Sequence, residues 1–116
     1  MRLPDYAGRT TVNLVAELER RLIGSAPMPG LAPDLAALIP EADSYIVVLL
    51  DGLGTYQLDH PAAMFFRDNH AGDLDAVFPP TTTVALSSIA TGLPPIRHGL
   101  LGYQQWLPEY DHVVNT

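Results

Sequence analysis

From Thr11 to Ile23 the apolar residues Leu14, Val15, Leu18, Leu22 and Ile23 recur at the spacing that lines one stripe of a helix. Glu17, Glu19, Arg20 and Arg21 fall outside that stripe, Thr10 or Thr11 offers a capping hydroxyl, and Gly24 offers a stop. The pattern predicts a packing helix. Pro27, Pro29, Gly30 and Pro33 then make a turn-rich stretch that feeds a short helix from about Asp34 to Ile39, closed by Pro40. Ile46-Val47-Val48-Leu49-Leu50 is continuous rather than alternating, the pattern of a strand covered on both faces, which predicts a parallel sheet between helices. Asp51-Gly52-Leu53-Gly54 ends it in a turn. A helix is expected from Tyr56 to about Asn69, with a break or new start at Pro61, and a second short strand from Leu74 to Phe78. Thr82 to Ala90 reads as a helix with Val84, Leu86, Ile89 and Ala90 for contact and Gly92 as its end. Leu93 to Gly102 reads as a turn region, Tyr103 to Leu107 as a third strand, and His112 to Asn115 as the opening of a further element.

Composition changes this picture in one respect. The 116 residues are one domain's worth of chain or less, and 47% apolar against 16% charged is greasy for an isolated small domain. The excess predicts surface that expects a partner. A net charge of -7, with six scattered Arg and no Lys, opposes a polyanion, so a nucleic-acid scaffold is excluded. Without Cys there is no disulfide framework and no thiolate metal site; a metal would be held by oxygen and nitrogen. Met1 to Tyr6 lacks the pattern of a leader, and no apolar run approaches the roughly 20 residues of a membrane span, so no membrane association and a cytoplasmic location are the expectations.

Asp51 directly follows the buried-type strand, at the carboxyl end where open α/β sheets gather their ligands. An Asx-type turn on the glycines explains it equally well. Thr81, Thr82 and Thr83 precede a helix, whose free N–H groups and dipole favour an anion; a simple N-cap accounts for any one of them alone. Taken together, a carboxylate and a hydroxyl at neighbouring element ends can share a metal that turns the hydroxyl into a nucleophile. Other phosphate chemistries fit less well. A receiver domain and a P-loop both need a Lys, a haloacid-dehalogenase-type site needs Asp two residues after Asp51 where Leu53 stands, and Gln57 occupies the third Gly position of a dinucleotide fingerprint.

Val47-Val48-Leu49-Leu50-Asp51-Gly52-Leu53-Gly54, Phe78-Pro79-Pro80-Thr81-Thr82, Thr91-Gly92-Leu93-Pro94-Pro95 and His98-Gly99 follow one another in an order that resembles the amino-terminal portion of the type I phosphodiesterase/nucleotide pyrophosphatase family, within the alkaline phosphatase superfamily. The likeness runs from about Ile46 to Tyr103. It implies an alkaline-phosphatase-like α/β fold with a mostly parallel sheet, and a site of two divalent metal ions, zinc in this family. In that reading Asp51 is the first aspartate ligand. Thr82 is the nucleophile that also meets the metal, with Thr81 and Thr83 as its alternatives if the register slips by one residue. Attack by a zinc-held alkoxide would form a phosphothreonine that a second metal-held water hydrolyses. The substrate class implied is a small phosphodiester or nucleotide.

One departure bears on specificity. Where relatives of the better known kind carry an Asn pair, this chain has Gly102-Tyr103; the Tyr103 hydroxyl is a substitute substrate contact, or Tyr103 simply packs beside Trp106. His98 matches a structural turn position, His60 and His70 are expected to face solvent, and Asp111-His112 arrives too early to be a ligand pair. Two zinc ions need about six protein contacts and the resemblance supplies two residues. Residues 1–116 are therefore expected to be the truncated amino-terminal part of one catalytic domain, inactive alone, or a divergent remnant. The competing readings are a phosphomonoesterase or other hydrolase of the superfamily, and a non-catalytic α/β interaction module that pairs through a sheet edge. Oligomeric state is left open.

Overall fold

The computed structural model describes residues 3–116; Met1 and Arg2, where the stretch read above for a leader begins, lie outside the described residues. Helix α1 runs Thr11–Ile23 and is capped by Thr10. Thr10 Oγ1 accepts from the Asn13 N–H at 3.3 Å, and Asn13 Oδ1 accepts from the Thr10 N–H at 3.0 Å, a reciprocal box with Asn where Glu or Gln is usual. The same Asn13 amide donates to the carbonyls of Tyr6 and Pro29 at 2.9 and 2.8 Å. Asn13 is fully buried, and its saturation explains why it can be. Gly24, at φ 84°, ends the helix as expected.

The face that α1 buries is not the expected stripe. Val12 and Ala16 are inaccessible, and Val12 packs with Val77 and Val84 in a small core joined by Tyr6, Met28 and Ala85. Leu14, Val15, Leu18, Leu22 and Ile23 instead line an apolar cleft of about 410 Å³ whose other wall is Val47, Val48 and Leu49. Nor do the charged residues all turn away. Arg21 is held by Glu17 at 2.8 Å and reaches the carbonyls of Ala36, the last residue of the short helix α2 (Pro33–Ala36), and of Ile39 just beyond it. Glu19 lines the apolar cleft.

The strand expected at Ile46–Leu50 has no pairing partner among the described residues. Among the described residues its only backbone hydrogen bond is Leu50 C=O accepting from the Leu53 N–H at 3.3 Å, and its five side chains are 45–92% exposed. The expected parallel sheet is therefore not seen among the described residues: a doubly covered strand needs neighbours on both edges and layers on both faces, and no described segment provides them. The strand expected at Leu74 to Phe78 reduces to a single parallel bridge between Thr10 and Asp75. The one sheet among the described residues is antiparallel, β1 (Gln104–Leu107) with β2 (His112–Asn115), in a register that pairs Trp106 with Val113.

These unmet contacts show in the dimensions. The accessible surface is 7897 Å², against about 6,200 Å² expected for a compact monomer of this mass. The radius of gyration is 15.8 Å, against about 13.4 Å for a compact domain of this length.

The helical stretch expected from Tyr56 to about Asn69 is a 3-10 turn Thr55–Asp59, a second one at Pro61–Ala63 that starts at the Pro where a break was expected, and the short helix α3, Met64–Asp68. Pro61 lacks an N–H and starts the second turn, with His60 Nδ1 accepting from the Ala62 N–H at 3.1 Å. Helix α4 spans Thr82–Thr91 and stops at Gly92 with φ 64°. The expected turn region that follows also contains a one-turn helix, α5, Pro95–His98, closed by Gly99 at φ 83°. No helix among the described residues is long and apolar enough to cross a membrane.

Candidate active site

Two local devices bring Asp51 and Thr82 together. Asp51 occupies the first central position of a turn closed by the Leu53 N–H to Leu50 C=O bond, and Gly52, at φ 75°, takes the second. A positive φ there is the requirement of a type II turn, met by Gly without strain. Thr82 is the first residue of α4, where the N–H groups of the first turn have no intrahelical acceptor. Across a separation of 31 residues the Thr82 Oγ1–H donates to Asp51 Oδ2 at 3.2 Å. Both residues line an open cleft of about 370 Å³, which also includes Gly52, Gly54 and Thr55.

The three threonines differ in what they meet. Thr83 Oγ1 donates to the Thr116 carbonyl at 3.4 Å. Thr81, the N-cap, makes no capping bond with its side chain, and its buried Oγ1 has no hydrogen-bond partner among the described residues. Of the three, Thr82 alone is bonded to Asp51.

The remaining sequence candidates lie elsewhere. Tyr103 is 54% exposed and does not line the cleft around Asp51; its carbonyl accepts from the Thr116 N–H at 2.9 Å. His60 and His70 are exposed, as expected. Asp111, in the turn before β2, and His112, the first residue of β2, are both exposed. His98 is occupied at both ring nitrogens: Nδ1 accepts from the Leu100 N–H at 3.1 Å, and Nε2 lies 2.9 Å from Oγ of the fully buried Ser88. Because Nδ1 must carry a lone pair to accept, the proton belongs on Nε2, which donates to Ser88. Burial pushes the His98 imidazole below its usual pKa, consistent with a neutral ring that ties α5 to α4.

Among the described residues no group of three or more His, Asp or Glu side chains converges on a metal position. Asp51 and Thr82 do supply two adjacent oxygen donors opening on a cleft, a donor type that suits a divalent cation. Two features of this site were not anticipated. Thr55 Oγ1 donates to Asp73 Oδ1 at 3.2 Å, tying the loop after Asp51 to the stretch before Leu74. The Gln57 carboxamide also folds back onto that loop.

The chain matches neither a curated protein nor a solved structure. A family model described as type I phosphodiesterase/nucleotide pyrophosphatase matches residues 45–116, which contain both Asp51 and Thr82 and cover more than half of the sequence. The chain belongs to the type I phosphodiesterase/nucleotide pyrophosphatase family.

Proposed function

We propose that this chain carries the nucleophile half of a metal-dependent phosphodiesterase site, in the amino-terminal part of a single alkaline-phosphatase-like catalytic domain built on a mostly parallel sheet. The observation that carries the reading is the 3.2 Å bond between Thr82 Oγ1 and Asp51 Oδ2 at an open cleft, within the stretch that the family model matches. Thr82 is the nucleophile. Its hydroxyl proton passes to the leaving oxygen as the Oγ1–P bond forms and the bond from phosphorus to that oxygen breaks; water then cleaves the phosphothreonine ester, its OH going to phosphorus and its proton restoring the hydroxyl. The free N–H groups at the start of α4 face charge that develops on the phosphoryl oxygens. Asp51 and Thr82 are the residues that would hold one of two divalent cations, zinc by family, which when bound lowers the pKa of the hydroxyl and screens the phosphate. The substrate is a small phosphodiester or nucleotide, and Tyr103 is the residue proposed to reach it.

The domain reading has its own support. About six protein contacts serve two zinc ions, and two residues are in place here. The uncovered apolar segment Ile46–Leu50 is the surface on which the rest of a parallel sheet would assemble. The 116-residue chain alone is accordingly expected to turn over no diester. In the complete catalytic domain, Thr82→Ala should lower zinc-dependent hydrolysis of a nitrophenyl phosphodiester by about 10³-fold or more, since it removes the attacking atom. Parental activity in Thr82→Ala would reject the nucleophile, and zinc-dependent turnover by the 116-residue chain would reject the incomplete site.

A further inference from the structure

Gln57 stands where a dinucleotide-binding loop would have Gly, and its side chain does something a glycine could not. Its Oε1 accepts from the Gly54 N–H at 2.6 Å, and its Nε2 donates to the Gly52 carbonyl at 2.8 Å. The partners fix the orientation of the amide without ambiguity, because an N–H can only be met by Oε1 and a carbonyl only by Nε2. The first bond is half of a capping box: Gln57 is the third residue of the 3-10 turn Thr55–Asp59, and Gly54 is its N-cap. A cap alone would end there. The second bond reaches past the cap to Gly52, inside the turn that carries Asp51.

The result is a carboxamide that spans the exit of the Asp51 turn. The entrance is closed by the Leu53 N–H to Leu50 C=O bond at 3.3 Å, a long contact. Gly52 and Gly54 add no side-chain packing to hold the loop, and a Cβ at Gly52 would meet nothing within 4 Å. Of the polar contacts made by the loop backbone, the two to Gln57 are the shortest. With Asp51 itself exposed, the direction of its carboxylate depends on that backbone.

We infer that Gln57 is a positioning residue for Asp51: its carboxamide locks the Asp51–Gly54 turn so that the carboxylate faces Thr82 before any metal or substrate arrives. The inference rests on the metal-site reading above for its purpose, and on the two hydrogen bonds for its geometry. A Met side chain keeps the length of Gln and loses both bonds. A Glu keeps the bond from Gly54 and sets a carboxylate against the Gly52 carbonyl; protonated, it can donate there and restore the pair.

The test is NMR on the 116-residue chain, with Mn²⁺ as a paramagnetic probe able to report weak binding. In the parent chain the Gly54 amide should be protected from exchange, and Mn²⁺ should broaden Asp51 and Thr82 first. Gln57→Met should abolish the Gly54 protection, shift the Asp51 and Thr82 resonances, and raise the Mn²⁺ concentration for half-broadening by about 10-fold or more, the size of effect typical of outer-shell partners. Gln57→Glu at neutral pH should keep the Gly54 protection, because its carboxylate still accepts from that N–H, but should displace the Asp51 and Thr82 resonances; these should return to the shifts of the parent at the same pH once its carboxyl protonates and can donate to the Gly52 carbonyl, a pH signature that a merely structural defect lacks. Absence of Mn²⁺ broadening in the parent would reject the metal reading, while displaced Asp51 and Thr82 resonances in Gln57→Met would still support the lock. Unchanged Asp51 and Thr82 resonances in a folded Gln57→Met, or in Gln57→Glu at neutral pH, would overturn the inference.

Discussion

His98 Nε2 lies 2.9 Å from Ser88 Oγ, and that bond joins the one-turn helix before Gly99 to the interior of the helix that begins at Thr82. Its energetic character follows from the other nitrogen. Protonation of Nδ1 would leave the Leu100 N–H facing another donor, so only the neutral ring satisfies both contacts.

The first prediction concerns pH. Burial depresses the His98 pKa in the folded state, so the unfolded chain binds this proton more readily. Stability from the neutral ring is complete above the ordinary imidazole value of about 6.5 and is lost as pH falls below it through the folded value. Urea denaturation at pH 7.5 and 5.5 should show a lower midpoint at the acid pH. His98→Phe should be less stable at pH 7.5 and should lose part of that pH dependence. An equal acid loss in parent and variant would show that His98 is not its source.

A second prediction addresses the buried amide of α1. Asn13 makes four polar contacts, with the N–H and hydroxyl of Thr10 and the carbonyls of Tyr6 and Pro29. Asn13→Leu removes them all and leaves buried partners unsatisfied, at about 1–3 kcal/mol for each stranded group. A net loss of about 3 kcal/mol by chemical denaturation is expected, and one below about 1 kcal/mol would mean that these contacts are not formed in solution. Asn13→Asp should be at least as damaging, because a carboxylate repels the two carbonyls that the amide feeds.

The third prediction follows from the uncovered apolar segment. Ile46 is 92% exposed and Val48 75%, so neither is packed into the core. Ile46→Lys and Val48→Lys should change stability by no more than about 0.5 kcal/mol, as surface substitutions do. They should also lower self-association, since an unpaired apolar strand is a template for pairing. Sedimentation velocity reads the second effect. If both substitutions unfold the chain, the segment is buried in solution and the account of an unfilled sheet is wrong.

How far these features were legible depends on how local their causes are. The ends of α1 were readable at Thr10 and Gly24 because capping is settled within four residues, and the stop of α4 at Gly92 is of the same kind. The buried face of α1 was not readable. Periodicity marks Leu14, Leu18 and Leu22 as apolar, but which face is covered depends on Val77 and Val84, distant in sequence. Ile46–Leu50 reads as a covered strand from composition alone, and pairing is a non-local property that no described segment supplies. The approach of Thr82 to Asp51 was legible because the sequence sets one at the start of a helix and the other in the turn after an apolar run. In the sequence Gln57 stands out only as a residue other than glycine at the third Gly position of a G-x-G-x-x-G pattern. Its contacts are side chain to backbone across three and five residues, a signal that a Gln at the third position of a turn carries weakly.

The central claim is that Thr82 forms a bond to phosphorus. The most direct test is acid quenching of the complete catalytic domain during turnover of a phosphate-labelled diester, followed by peptide mapping of the stable phosphoester. Label on Thr82, absent in Thr82→Ala and diminished in Asp51→Asn, is the predicted result. Label on Thr81 or Thr83, or full turnover with no labelled peptide, would contradict it.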